Sequence, residues 1–329
     1  MNTPARTPEP FVRVNDLRVE FAKEGRAVRA VNGVSFDIRA GEVLGLIGES
    51  GSGKSVTLRS LLRIHPSRTT HMSGSMVVGG REVMSMDAAE LSRYRGGVAS
   101  MVFQEPMLAF DPVRTIGSQI VEAVRRHSGV SPQRARERAL EMLERVRIPS
   151  ARTRLDAYPH EMSGGMRQRA MIALALSTSP RVLLADEPTT ALDATVQIQV
   201  LLLLRELQQE LGMAAIFVTH DLGVAAEVSD RVSVMYAGRI VELGKVSDVL
   251  KRPRHPYTQG LLASTVTGAM RGRRADAISG SPPDLANLPK GCAFAPRCKR
   301  RTSECEEAVP PLVVGDDARA TACIHADNP

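Results

Sequence analysis

The sequence predicts an α/β protein with a mainly parallel core sheet, and three observations support this fold class. Uninterrupted apolar runs at residues 43–48, 182–185 and 214–218 are typical of strands buried on both faces of a parallel sheet. Helical patterns separate these runs, which is the alternation of an α/β protein. Residues 48–55 follow the first run and have the spacing Gly-x4-Gly-Lys-Ser of a phosphate-binding loop.

The N-terminal forty residues predict half-buried antiparallel strands that form a subdomain of their own. Apolar and polar residues alternate there, as on a sheet with one buried face. The apolar positions are Val12, Val14, Leu17, Val19, Phe21, Val34, Phe36 and Ile38.

The middle of the chain predicts a helical subdomain at about residues 105–178. Ser131 is a suitable helix N-cap, and Pro132 occupies the first helical position after it. Residues 166–177 are apolar nearly all round, which predicts a buried helix. Residues 114–169 contain 12 arginines and 6 acidic residues, so the segment is strongly basic.

Near residue 250 the composition changes, and we predict a domain boundary there. Proline, glycine and arginine become more frequent beyond it, and the run Ser-Gly-Ser-Pro-Pro at residues 279–283 indicates a loop. The predicted domains are therefore a nucleotide-binding domain at residues 1–250 and a C-terminal extension at residues 251–329. The extension contains all four cysteines of the chain, which are Cys292, Cys298, Cys305 and Cys323.

Composition excludes several classes of protein. Of the 329 residues, 43% are hydrophobic and 24% charged, which excludes wholesale disorder. Apolar runs are far shorter than the ~18–20 residues of a membrane span, and residues 1–10 lack the apolar stretch of a secretory signal. These features predict a soluble chain. The net charge of +7 invites a nucleic-acid interpretation, but the surplus is confined to residues 114–169 and 251–329.

The phosphate-binding loop is the strongest chemical signal. Glycines at its turns let the backbone approach phosphates and aim N–H groups at them. Lys54 is placed to reach the β- and γ-phosphates of a nucleotide, and the Ser55 hydroxyl is placed to bind Mg²⁺. The alternative is a Gly/Ser-rich turn that contains a lysine, which the preceding strand disfavours. The candidate nucleotide-binding residues here are Gly48, Ser50, Gly51, Ser52, Gly53, Lys54, Ser55 and Val56.

Two acidic residues follow the second apolar run. Asp186 and Glu187 stand at the C-terminal end of a predicted buried strand, the edge at which α/β sheets bind ligands. Next to a phosphate-binding loop, Asp186 is a candidate Mg²⁺ ligand. Glu187 is a candidate to orient the water that attacks the γ-phosphate, or to accept its proton. Without that loop an ordinary acidic turn would be the better interpretation.

A further set of motifs resembles the ABC-type ATPases. The run Ser163-Gly164-Gly165-Met166 is similar to the signature motif of that family. Gln104 follows an apolar strand, Asp193 ends an Ala-Leu-Asp run, and His220 follows the third apolar run. This order is similar to that of the Q-loop, D-loop and switch histidine of the family, and the motifs extend over residues 12–250.

The resemblance implies that two such units pair head to tail and hold ATP and Mg²⁺ between them. It assigns the binding of the γ-phosphate, across the interface, to Ser163, Gly164 and Gly165. It also implies that Asp193 belongs to the nucleotide site, that His220 holds the γ-phosphate, and that Gln104 senses Mg²⁺. The catalytic residues are then Glu187, His220, Gln104 and Lys54. Phe21 stands where the family stacks adenine on an aromatic ring, although a core phenylalanine on an alternating strand is an equal alternative.

The signature departs from the commonest form of the family at Met166, where glutamine is usual. This variant resembles the oligopeptide/dipeptide branch of bacterial ABC importers, as do residues 254–258 and 291–298 of the extension. The resemblance implies a second, homologous ATPase subunit, two membrane permease subunits and a substrate-binding protein that delivers peptide. It places the chain at the cytoplasmic side of the inner membrane, with no nucleic-acid partner, and leaves the transported solute open.

The cysteines have the spacing C-x5-C-x6-C-x17-C. Disulfides are rare in the cytoplasm, so four clustered cysteines favour a metal site. Because some members of the branch carry an iron–sulfur cluster here, we predict a [4Fe-4S] cluster held by Cys292, Cys298, Cys305 and Cys323, with Zn²⁺ or free thiols as alternatives.

Two other functions compete with the importer. One is a soluble ABC ATPase that acts on nucleic acid and carries a metal-binding cysteine module; the low aromatic content of 3% argues against base stacking. The other is a regulatory module that binds ATP without hydrolysis, which the presence of Glu187 and His220 disfavours.

Overall fold

The structure is a computed structural model that describes residues 9–23, 25–189, 194–264 and 278–326. Its strands are β1 (Val12–Lys23), β2 (Arg26–Ile38), β3 (Val43–Ile47), β4 (Thr70–Val78), β5 (Arg81–Glu82), β6 (Ala99–Val102), β7 (Val182–Asp186), β8 (Ala214–Thr219), β9 (Arg231–Tyr236), β10 (Arg239–Lys245), β11 (Val313–Val314) and β12 (Ala320–Thr321). Its helices are α1 (Lys54–Leu61), α2 (Ala88–Gly97), α3 (Pro106–Ala109), α4 (Ile116–Ser128), α5 (Pro132–Arg145), α6 (Ala151–Arg154), α7 (Gly164–Leu176), α8 (Ala194–Leu211), α9 (Leu222–Val228), α10 (Val246–Lys251), α11 (Pro256–Ser264) and α12 (Glu304–Glu307), with 3₁₀ turns at Pro159–Glu161 and Ala295–Arg297.

The chain divides into two compact units. Among the described residues, the first unit comprises 9–12, Ile38–Glu42 and Ser85–Phe217, and the second comprises Arg13–Asp37, Val43–Met84 and 218–326.

The first unit has strands in the order β8-β7-β6, with β6 and β7 parallel. Every residue of β7 is buried, as the apolar run predicted. Helix α7 packs against β6 and α5, and most of its side chains beyond the first turn are buried. The predicted buried helix at residues 166–177 is therefore confirmed, and it begins two residues earlier, at Gly164.

Capping residues fix the starts of α4 and α5, two of the helices between β6 and β7. The Ser131 side chain accepts a hydrogen bond from the Arg134 N–H at 3.2 Å, and Pro132 is the first residue of α5, as predicted. Thr115 caps α4 in the same way. The apolar stripe of α5 is buried and consists of Ala135, Ala139, Met142 and Leu143.

The second unit contains a four-stranded sheet in the order β2-β1-β4-β5, with β4 and β5 antiparallel. The alternating residues of the N-terminal segment lie in β1 and β2, which confirms strands there. All of the predicted apolar positions except Phe21 are buried, namely Val12, Val14, Leu17, Val19, Val34, Phe36 and Ile38.

Strands of a second sheet lie in the second unit in the order β11-β12-β10-β9-β3. β3 pairs with β9 in parallel, whereas β9, β10, β12 and β11 pair antiparallel. The sequence pattern did not predict that the extension adds strands to this sheet. One unit thus extends across residue 250, and the division into two domains there stays a prediction.

A buried ion pair joins β10 to the end of the extension. Arg319 donates to Glu242 at 2.8 Å, and their side chains are 4% and 0% exposed. The Glu242 carboxylate also accepts the N–H groups of Arg254 and His255, at 2.9 and 3.0 Å. Burial lowers the pKa of the His255 imidazole to about 3, so this side chain is neutral at physiological pH. Neutral His255 accepts the Tyr257 N–H at 3.0 Å through Nδ1, which fixes the first turn of α11.

In the described part of the chain, the helices are all too short or too polar to cross a bilayer.

Candidate functional site

The phosphate-binding loop connects β3 to α1 in the second unit. Gly48, Gly51 and Gly53 have φ values of 151°, 78° and 102°, in the region that L side chains rarely adopt. A Cβ at Gly48 would collide with the Met235 carbonyl oxygen, and one at Gly53 with the Ala30 carbonyl oxygen. The backbone therefore needs glycine at these turns, as the motif predicted.

The loop contains buried polar groups of the kind that bind phosphate. Lys54 is only 5% exposed, and its Nζ donates to the carbonyl oxygens of Gly48 at 2.7 Å and Glu49 at 2.9 Å. The Ser52 hydroxyl is buried and has no hydrogen-bond partner among the described residues. Helix α1 begins at Lys54 after the left-handed Gly53, so the N–H groups of its first turn are directed back towards the loop. The cradle, the buried hydroxyl and the lysine fit a nucleotide with bound Mg²⁺, to which Ser55 is the predicted ligand.

The two predicted carboxylates lie at the end of β7 in the first unit. Asp186 is fully buried, and Glu187 is partly exposed. Glu187 has a φ of 45°, a left-handed conformation that is unfavourable for a residue with a side chain. Backbone strain of this kind concentrates at functional sites. The sequence placed these residues at the strand end, but the strained turn was not predictable from it.

The signature segment, which we define as residues 162–166, caps helix α7 in the first unit. The Ser163 side chain accepts from the Met166 N–H at 3.3 Å, and Ser163 and Gly164 are exposed. A Cβ at Gly164 would meet no described atom within 4 Å, so packing does not require glycine there. An exposed helix N-terminus without a steric need for glycine is suited to an anion that comes from outside the chain.

Gln168, one turn into α7, was not identified from the sequence. Its side chain is 1% exposed, and its Nε2 donates to the carbonyl oxygen of Pro188. Pro188 directly follows Glu187, so the signature helix holds the turn that carries the predicted catalytic carboxylate. The available signal was the polar run Arg167-Gln168-Arg169 at the start of a helix that is otherwise apolar.

The other predicted site residues lie in both units. Gln104 is exposed after β6 in the first unit, and His220 is exposed after β8 in the second. Phe21 is half-buried on β1, where its ring contacts His65 edge to face at 5.3 Å and lines a surface cavity of about 430 Å³. Val56 lies in α1, and the exposed Ser50 lies in the loop. Asp193 lies outside the described residues.

The structure does not support the predicted metal site at the cysteines. Cys292, Cys298, Cys305 and Cys323 are free thiols, and the described ranges contain no group of three or more His, Cys, Asp or Glu side chains arranged to hold a metal ion. Burial raises the pKa of Cys292, Cys298 and Cys323, and charge repulsion from other cysteines of this group adds to the rise. Among the described residues, neither a [4Fe-4S] cluster nor Zn²⁺ is supported by the placement of these side chains. Cysteine spacing along the chain indicated a cluster, but it does not determine distances between sulfur atoms.

Sequence comparisons identify two family patterns in the chain. Residues 31–190 match the family described as ABC transporter, and residues 241–305 match the oligopeptide/dipeptide transporter C-terminal region. The chain is 46% identical to the oligopeptide transport ATP-binding protein OppD of Salmonella typhimurium, over 98% of this chain and 96% of that protein. It is 48% identical to a Brucella abortus (strain 2308) protein whose name describes a peptide import ATP-binding protein, over 96% of this chain and 97% of that protein.

Solved structures of ATP-binding cassettes have a fold similar to that of this chain. The ATP-binding cassette MJ0796, in a dimeric post-hydrolysis state bound to ADP and Pi, has a TM-score of 0.64 and 28% identity, covering 71% of this chain and 98% of that chain. CbiO1 of Clostridium perfringens, part of an ABC transporter complex, has a TM-score of 0.63 and 26% identity, covering 74% of this chain and 92% of that chain. These relatives give no support to the nucleic-acid alternative. The chain belongs to the ATP-binding subunits of the oligopeptide/dipeptide type of ABC transporter, and it is an ABC-type ATPase.

Proposed function

We propose that this chain is the ATP-hydrolysing subunit that drives import of dipeptides or oligopeptides across the bacterial inner membrane. The observation that carries the proposal is the combination, in one chain, of an ATP-binding cassette with the C-terminal region of oligopeptide/dipeptide transporters. Relatives with 46% and 48% identity over nearly the whole chain bear names of oligopeptide transport and peptide import. The peptide length stays open, because no solute-binding subunit is part of this chain.

Binding of ATP would depend first on the loop at residues 48–55. Its N–H groups and Lys54 would neutralise phosphate charge, and Ser55, Asp186 and Gln104 would hold Mg²⁺. When bound, Mg²⁺ would offset the negative charge of the phosphates. The adenine would stack on Phe21, which is half-buried at the edge of an open cavity.

Hydrolysis would depend on positioning rather than on covalent chemistry. Glu187 would orient the attacking water and accept its proton, and His220 would donate a hydrogen bond to the γ-phosphate. The signature segment would act on the ATP held by a neighbouring subunit, since Ser163 and Gly164 are exposed at the start of α7. Asp193 would contribute to the same interface.

We infer that the neighbouring subunit is a homologous ATPase and that the pair docks on two permease subunits at the cytoplasmic side of the inner membrane. ATP binding would close the pair and hydrolysis would reopen it, which drives the permeases between two states. A substrate-binding protein would deliver the peptide to them.

Purification from native membranes tests this proposal. The chain should copurify with a second ATPase and two permeases. The complex is then reconstituted in proteoliposomes, and it should transport peptide only when ATP is present on the side of the membrane that carries the ATPase subunits. A complex with Glu187→Gln is the matched control and should bind ATP without uptake. Recovery with nucleic acid and without permeases would contradict the proposal.

A further inference from the structure

Two side chains of the C-terminal region hold Glu49, the second residue of the phosphate-binding loop. Arg297 binds its carboxylate with two hydrogen bonds, from Nη1 to Oε2 at 2.7 Å and from Nη2 to Oε1 at 3.0 Å. The Tyr257 hydroxyl accepts the Glu49 N–H at 2.8 Å. Both the side chain and the backbone of Glu49 are thus bound by residues more than 200 positions away in sequence.

The guanidinium of Arg297 is fixed on every side. Its side chain is 5% exposed, its Nε donates to the Ser279 carbonyl oxygen at 3.0 Å, and its Nη1 also approaches the Tyr236 hydroxyl at 3.3 Å. A planar guanidinium held in this way fits a carboxylate in one orientation. Arg297 therefore holds the Glu49 carboxylate in a single orientation.

Tyr257 is equally well anchored. Its ring is fully buried and contacts Tyr236 and Phe294 with centroid distances of 4.6 and 5.4 Å. Its N–H donates to His255 Nδ1, so the first turn of α11 fixes the position of the Tyr257 side chain and its hydroxyl. The Glu49 N–H is consequently directed at the extension and not at the phosphate cradle.

The charge of Glu49 makes these contacts relevant to nucleotide binding. A free carboxylate inside a loop that binds phosphates would repel them, and such repulsion is strong where water is excluded. A bidentate pair with a buried arginine offsets that charge and holds the carboxylate against the guanidinium. The Glu49 carbonyl oxygen meanwhile accepts from Lys54, so the same residue also orients the lysine.

We propose that Arg297 and Tyr257 are positioning residues for ATP: the C-terminal region sets the conformation of the phosphate-binding loop and neutralises Glu49, and thereby raises the affinity for the nucleotide. The proposal rests on the ATPase cassette itself and not on the transported solute. It gives the extension a role in nucleotide binding that does not depend on a metal held by its cysteines.

The test is the dissociation constant for ATP with Mg²⁺, measured by titration calorimetry on the purified full chain. Arg297→Ala should weaken binding by about tenfold, because the carboxylate is left unpaired beside the phosphates. Tyr257→Phe should weaken binding by about threefold, because it removes one hydrogen bond and keeps the ring. The double variant Arg297→Ala/Glu49→Gln should bind more tightly than Arg297→Ala, since the repelling charge is gone.

Arg254→Ala is the matched control. Arg254 makes a similar two-bond pair with Asp317, at 3.2 and 2.9 Å, within the same region but without contact to the loop, so ATP binding should stay within twofold of the unchanged chain. If Arg297→Ala does not fold, Arg297→Lys replaces it, and this variant should bind about threefold more weakly because lysine cannot form the bidentate pair. Unchanged affinity in the Arg297 and Tyr257 variants would overturn the proposal. So would an equal loss in Arg254→Ala, or a loss in Arg297→Ala that Glu49→Gln does not relieve.

Discussion

At the scale of single residues, the turn after β7 combines a strained backbone with a carboxylate. Glu187 keeps a left-handed φ of 45° even though its side chain makes this conformation costly, by about 1–2 kcal/mol. The contact between Gln168 and Pro188 helps to hold the turn. Strain held in this way is consistent with a carboxylate that must point in one direction.

We expect Glu187→Gln to bind ATP as the unchanged chain does and to lose hydrolysis by about a hundredfold or more, because the amide cannot accept a proton from water. Phosphate release and equilibrium ATP binding measure the two effects. Glu144→Gln, on the exposed face of α5, is the control and should hydrolyse normally. Normal turnover in Glu187→Gln would remove this residue from its proposed role.

The glycines of the phosphate-binding loop allow conformation and crowding to be separated. Gly51→Ala introduces a side chain at a φ of 78° with no described atom within 4 Å, so it should cost only about 1–2 kcal/mol of folding free energy. Gly53→Ala adds a collision with the Ala30 carbonyl oxygen to a φ of 102° and should cost clearly more, with loss of ATP binding. Urea unfolding and ATP titration measure both, and equal effects of the two substitutions would contradict this assignment.

At the scale of elements, the buried pair of Glu242 and Arg319 secures β12 against β10. Removal of one partner leaves a buried charge unpaired, so Arg319→Ala should lower the free energy of unfolding by about 3–5 kcal/mol. Arg301→Ala breaks an exposed pair with Glu306 in the same region and should cost less than about 1 kcal/mol. Denaturant unfolding followed by circular dichroism compares them, and similar losses would show that burial does not decide the difference.

The cysteines of the extension give a pH-dependent prediction. Burial raises the pKa of Cys292, Cys298 and Cys323, so the reactive thiolates are scarce at neutral pH and become populated only above the ordinary thiol pKa. Alkylation of these cysteines by iodoacetamide should therefore be slower at pH 8 than alkylation of an exposed cysteine in a short peptide, and its rate should increase towards pH 10. Stoichiometric bound iron or zinc in the purified chain, with thiols that stay unreactive at high pH, would contradict the free-thiol structure.

At the scale of the whole molecule, the features that could be predicted from the sequence are those set by neighbouring residues. Apolar runs, the Ser131 cap with Pro132 and the phosphate-binding loop are each set by neighbouring residues, and each is confirmed as a strand, helix start or turn. Contacts between residues that are far apart in the chain produce no periodic pattern in the sequence. The register that joins Glu242 to Thr321 and the ion pair between Glu49 and Arg297 connect distant segments of the chain.

Half of the arginines in the basic segment at residues 114–169 are paired with acidic side chains. Six of its arginines form ion pairs, namely Arg114, Arg134, Arg136, Arg138, Arg145 and Arg147. Four of the partners are acidic residues of the segment itself, which its net charge already includes. Only Glu206 and Glu210, on α8, come from outside the segment and reduce its positive surplus. A count of charges along the chain cannot show this pairing.

The last prediction concerns the pairing of whole subunits. Ser163 and Ser131 cap helices α7 and α5 with the same contact, at 3.3 and 3.2 Å, so replacement of either by alanine should cost about 1 kcal/mol of stability. Only Ser163 is proposed to bind the γ-phosphate held by a neighbouring subunit. In the assembled complex, Ser163→Ala should therefore lower ATP hydrolysis by about tenfold or more, with ATP binding to the phosphate-binding loop of its own chain unchanged. Ser131→Ala should hydrolyse ATP normally at equal thermal stability. Equal hydrolysis in the two variants would mean that the signature serine only caps its helix, and the exposed N-terminus of α7 would then have no part in the reaction.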